Sequence, residues 1–209
     1  SSTMRNLAIL ATPLLLFISQ ITWAQNNKKP QLQEATKTAL QEHYNTKVYP
    51  TKKAIHDDLM LQLSEADLSL LEVQRTQYEA LNQEQRQVIQ QLRKERQAGR
   101  TTTDRKTALA PIREKRQAIL ETVRPIVEQH QATIKQAMGE LKDHKSEWKV
   151  ERKAILTQYE SAEVVDQLNQ HKDKVRDKVK DHQAKTGKSL KGVKAAHFLL
   201  WDGQPKSMK

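Results

Sequence analysis

The sequence predicts an all-α fold: an elongated hairpin of two long amphipathic helices, flanked by shorter helices and closed over a thin core. Three observations carry this. Apolar residues recur every three or four positions along two extended stretches, which is helical rather than strand-like spacing. No period-two alternation and no Gly-rich phosphate loop interrupts them. Aromatic residues make up only 4 % of the chain, too few to fill a thick core, so narrow seams between thin helices fit better.

Read in order, Met4–Ala24 has the layout of a secretory signal peptide. Arg5 supplies the basic start, Leu7 to Ile21 is almost wholly apolar, and Ala24 is a small residue suited to cleavage. The apolar run of about 15 residues is short of the roughly 20 that span a bilayer, and Pro13 interrupts it, so no stable membrane span is expected after cleavage. Export implies an oxidising compartment, yet there is no cysteine, so packing rather than disulfides must stabilise the chain.

Residues 25–50 read as a polar segment with one short helix from Gln31 to Tyr44, ended by Pro50, which disfavours helical backbone at Tyr49. Residues 51–160 read as the long hairpin. A helix from Thr51 carries Ile55, Leu59 and Leu63. Ser64 is an N-cap with Asp67 three residues on, placed to complete a capping box. From there the seam Leu71, Gln74, Tyr78, Leu81, Gln85, Val88, Leu92 steps by threes and fours, and a helix to Gln97 would be about 50 Å long.

Gly99 suits a C-terminal cap, and Thr103 or Asp104 the next N-cap. The second stripe runs from Leu109 through Ile112, Arg116, Ile119, Val123, Ile126, His130, Ile134, Ala137, Leu141, His144 and Trp148 to Ile155, about 75 Å if straight. Pro111 fits a first turn, whereas Pro125 predicts a kink just before it. Residues 161–209 read as basic helices with a weak stripe (Val164, Val165, Leu168, Val175, Val179, His182), a flexible joint over 185–192 and an apolar tail. Phe198–Trp201 is the densest apolar cluster after the signal, and is expected to dock back onto the helices.

Catalytic and metal chemistry find little footing. Asp57 and Asp58 adjoin His56, but neighbouring helical residues point in different directions. None of the seven histidines is spaced three or four from another, and His130 and His144 share a stripe about 21 Å apart. The expectation is therefore a non-enzyme with no cofactor and no metal ligands, and without any nucleic-acid recognition motif. Without Arg5 the chain keeps 35 Lys and Arg against 25 Asp and Glu, a formal charge of +10, which in an exported protein favours acidic proteins or envelope polyanions.

A seam left partly uncovered and bordered by Lys and Arg suits loose binding of unfolded or acidic polypeptides. The partners expected are thus other proteins, with a homo-oligomer, dimer favoured, as the alternative cover for the stripe. The contact residues assigned to this surface are Leu71, Tyr78, Leu81, Arg93, Arg96, Arg116 and Ile119.

Leu63-Ser64-x-x-Asp67, behind a signal peptide and at the head of a long Gln- and Arg-rich helix, resembles the LTxxQ motif of the Spy/CpxP family of periplasmic all-helical proteins. Ser keeps the capping hydroxyl of Thr, while Asp keeps an acceptor of Gln and loses its donors. "TVRPIVEQ" (Thr122–Gln129) sits where the family's second motif opens a later helix, without its Leu-Thr pair. Leu81-Asn82-x-x-Gln85 matches the letters but falls inside the stripe. The stretch from His43 to Asp67, with "HFLLWD", is also similar to an exported Bacteroidetes-type group distantly like that family. The resemblance implies a curved dimer with ATP-independent chaperone or envelope-stress activity, and includes a zinc-binding relative. An envelope coiled-coil adaptor and a metal-responsive sensor stand as alternatives.

Overall fold

The computed structural model describes residues 30–100, 103–186 and 192–205. The signal peptide expected at 4–24 lies outside them, as does 187–191 of the basic joint. All elements among the described residues are helical, so the fold is all-α. In chain order they are α1 (Glu34–His43), a π turn (Tyr44–Val48), α2 (Tyr49–Met60), α3 (Glu65–Gln97), α4 (Arg105–Ala108), α5 (Ala110–Gln129), α6 (Gln131–Tyr159), α7 (Ala162–Thr186) and α8 (Val193–Leu199).

The first arm is longer than the sequence suggested. Pro50 does not end a helix; α1 runs through the π turn into α2. The wider π turn lets Tyr49 N–H bond back to Tyr44 O, and Pro50 falls in the first turn of α2, where its missing donor costs least. The hairpin consequently spans 33–160, not 51–160.

Cross-arm contacts show one antiparallel register along its length: Gln33 and Thr36 with Glu160, His43 with Glu151, Asp67 with His130, Asn82 with Arg116 and Glu84 with Lys115. The paired residue numbers add to between 193 and 199, which centres the turn near Gly99. Gly99 sits at φ +69°, with Arg100 N–H bonding to Glu95 O and Gly99 N–H to Arg96 O, the two bonds of a Schellman cap. Asp104 then caps α4 through the amides of Lys106 and Thr107.

Both arms break at the same level. The first gives way over Leu61–Ser64, with Ser64 in extended conformation accepting from Asp67 N–H at 3.1 Å. The second breaks at His130, five residues beyond Pro125 rather than before it. Pro125 itself stays inside α5 with its ring on the exposed face, where no neighbouring helix opposes it.

The breaks form an elbow. Arg75 lies about 15 Å along α3 from Ser64, yet its guanidinium contacts Met60 Sδ at 3.1 Å, so the arm bends at the break and brings α3 toward the end of α2. Leu71, Leu81, Ile119, Val123, Ile126, Ile134 and Leu141 fill the seam with Ile55 and Leu59, and the docked tail adds Phe198, Leu199 and Leu200. The expected docking of the tail is thus present. The open end of the hairpin is closed by Glu160, which accepts from Gln33 N–H at 2.8 Å and Thr36 Oγ1 at 2.5 Å, capping α1 from the far end of α6.

Candidate functional site

The seven contact residues assigned from the sequence do not form one exposed surface. Leu71 is 0 %, Ile119 5 % and Leu81 7 % exposed: the two stripes cover each other within one chain. This corrects the expected open seam at these three residues, which the antiparallel arm covers, while Val88 and Leu92 nearer the turn are half-buried. A shallow groove of about 450 Å³, lined by Gln74, Gln77, Lys115 and Thr122, opens above Leu81 and Ile119. Tyr78 and Arg116 do meet, with the guanidinium 5.4 Å from the ring centre, and Arg116 also donates to Asn82 Oδ1 at 2.6 Å. Arg93 and Arg96 are exposed at the other end of α3, near the hairpin turn.

The motif residues make the expected N-terminal cap, with Asp67 also held by the Ser64 backbone, and add a contact across the hairpin. Leu63 is buried in the core, Ser64 caps α3, and Asp67 reaches across the hairpin to His130 Nε2 at 2.9 Å. That bond, with Ser64 adding to it, holds the Asp67 carboxyl below its ordinary range.

Inside the elbow the tail builds a cleft of about 710 Å³. Arg75, on α3, donates to Leu199 O at 2.7 and 3.1 Å and so pins the end of α8; burial pushes its guanidinium below the ordinary value while it remains a cation. Trp201 stands edge-on to Tyr49, and Lys52 Nζ lies 3.7 Å over its ring. Tyr49 OH donates to Gly203 O at 3.1 Å. Tyr78 OH is 3.3 Å from His197 Nδ1, and burial raises the phenol.

Four cations line the cleft: Lys52, Arg75, Lys145 and Lys194. Glu79 and Asp202 are the acids facing them. Beside aromatic walls, this combination can hold an acidic segment that also carries apolar groups. No group of three or more His, Cys, Asp or Glu converges among the described residues.

Behind the tail His56 is buried, edge-on to Phe198 (centroids 5.3 Å apart) and Trp201 (5.0 Å). Neither ring nitrogen has a hydrogen-bond partner; Asp57 Oδ1 at 3.6 Å is beyond reach. Burial, aided by the Arg75 charge, holds this imidazole below its ordinary pKa and therefore neutral.

Sequence reasoning missed Lys52, Lys145, Lys194 and His197. The one available signal was the apolar run Phe198–Trp201, which marks a docking segment without saying where it docks. No helix among the described residues is long and apolar enough to cross a membrane. Compared with family models, curated proteins and solved structures, the chain gives no match.

Proposed function

We propose that this is a non-catalytic polypeptide-binding protein of the cell envelope, chaperone-like and independent of nucleotide, which takes acidic and partly apolar segments of other proteins. The observation that carries the reading is the elbow cleft, where cationic groups border an aromatic wall on a bent helical hairpin. The Spy/CpxP-like Leu63-Ser64-x-x-Asp67 and the signal-like Met4–Ala24 support an exported, periplasmic setting. Cations steer acidic chains to the cleft while Tyr78 and Trp201 supply transient apolar contact. Burial of Leu71, Leu81 and Ile119 within one chain moves the proposed binding surface away from them.

The test is aggregation of a denatured acidic client, followed by light scattering without nucleotide. The wild-type chain should slow it at near-stoichiometric ratios, and Lys145→Glu with Lys194→Glu should remove most of the effect. Equal suppression by the double variant, or none by wild type across several clients, overturns the reading.

A second reading, an envelope adaptor that uses its helices as a spacer, is favoured by that same burial. Small-angle scattering with an apolar-surface dye separates the two: an elongated particle that binds no dye and suppresses no aggregation is a spacer.

A further inference from the structure

Helix α7 is the one long element of the described chain with little tertiary cover. Every residue from 169 to 181 is exposed, including Val175 (48 %) and Val179 (46 %), while Val164, Val165 and Leu168 at its base are half-buried near the end of α6. Its far end is tethered. The six peptide links from Thr186 to Gly192 reach at most about 20 Å, so α7 returns toward the docked α8 instead of pointing away.

The charges on α7 are segregated. At about 100° per residue, Val164, Val165, Leu168, Val175 and Val179 fall within an arc of roughly 100°. The acids of this helix, Glu163, Asp166, Asp173, Asp177 and Asp181, fall within roughly 80° on the opposite side. Lys172 falls within the apolar arc between Val179 and Val165, Arg176 borders it on one flank and Lys178 on the other, while Lys174 and Lys180 lie next to the acids. Arg176 also pairs along the helix with Asp173 at 3.2 Å, an exposed contact that a stronger acceptor can displace. A merely solvated helix has no reason to sort its charges in this way.

From this arrangement we propose that α7 is a docking rail for an acidic amphipathic helix of a partner protein, one whose apolar stripe is bordered by Asp or Glu. The partner's stripe continues the half-buried base formed by Val164 and Leu168 onto Val175 and Val179, and its acids meet Lys172, Arg176 and Lys178. A second copy of α7 is a poor occupant, since cations border both seams and would oppose one another. A bilayer surface is also a poor one: the face is narrow and mainly valine, with no Trp or Phe to insert. Because α7 is already helical, little of the binding energy goes into ordering it. The rail does not depend on the elbow cleft.

The experiment is fluorescence anisotropy of a labelled synthetic helix, with a Leu stripe bordered by Glu, titrated with the full chain. A permuted peptide of the same composition is the control. The stripe peptide should bind, and Lys172→Glu with Arg176→Glu and Lys178→Glu should weaken it at least about tenfold. Val175→Asn with Val179→Asn should do the same, while Asp166→Asn with Asp177→Asn on the far side should change it less than about twofold. Circular dichroism confirms that each variant keeps its helix content. Equal binding of the permuted peptide overturns the proposal. So does a preference for phosphatidylglycerol vesicles over the peptide, or dimerisation through Val175 and Val179 without peptide binding. Since Lys145→Glu with Lys194→Glu leaves α7 intact, that variant should bind the peptide normally, which separates failure of the rail from failure of the cleft.

Discussion

Asp67 Oδ2 lies 2.9 Å from His130 Nε2, joining the first turn of α3 to the break between α5 and α6. The two side chains are 15 % and 17 % exposed, so the pair is largely shielded from water. It fastens the level at which both arms of the hairpin give way, and so sets the elbow around which the tail and its cleft are built.

Asp67→Asn or His130→Ala should lower unfolding stability by about 1.5–3 kcal/mol, the range for a hydrogen bond to a charged group. The acid limb follows from Asp67. Its carboxyl is depressed in the folded state, so its contribution is present above the ordinary value of 3.8 and is lost as pH falls through the lower folded value. Urea midpoints at neutral pH and below about pH 4 measure both effects. Equal midpoints for Asp67→Asn and wild type at neutral pH would show that the pair does not hold the elbow.

Glu160→Ala should strand the hydroxyl of Thr36, itself fully buried, and uncap α1. A loss of about 1–3 kcal/mol is expected, with faster hydrogen exchange in the first turn of α1 and little change at the hairpin turn. Uniform exchange changes along the whole hairpin would argue against a local cap.

His56 makes the docked tail sensitive to acid. Its folded pKa lies below 6.5, so above that value the ring is neutral in both states and nothing is lost. Below it the unfolded chain takes up the proton first, and stability falls as pH drops toward the folded value. The signal of Trp201 should report loosening as pH falls below about 6.5. His56→Leu removes both unpartnered nitrogens, so it should equal or exceed wild type in stability and abolish this pH dependence. A variant with the same acid profile as wild type would assign the effect elsewhere.

The two glycines of the hairpin should respond with opposite signs. Gly139 is exposed within α6 and a Cβ there meets nothing within 4 Å, so Gly139→Ala should gain about 0.5–1 kcal/mol. Gly99 has the same open space but sits at φ +69°, so Gly99→Ala should lose about 1–2 kcal/mol. Thermal midpoints test both, and a shift of like sign would contradict the assignment of the cap.

Local signals were faithful where the physics is local. Ser64 and Asp104 were legible as caps and Gly99 as a stop, because each satisfies backbone groups within a few residues of itself. Pro50 misled as a helix end, since it lies in a helix start behind a π turn, and the break expected just before Pro125 falls at His130 instead. The contact residues misled because a heptad stripe says that a face will be covered without saying by what, and Leu71, Leu81 and Ile119 are covered by the opposite arm.

Spacing and composition therefore determined that this chain is helical, that its two stripes seek a partner face, where its caps fall and that its tail is apolar enough to dock. Only the tertiary structure decided that the arms satisfy each other and bend together at Asp67 and His130. It also decided that Glu160 caps a helix more than a hundred residues away (Thr36, a separation of 124) and that Lys52, Arg75, Lys145 and Lys194 converge on one cleft. The former depend on neighbours along the helix, within four residues; the latter depend on which distant side chains the register and the elbow bring within bonding distance.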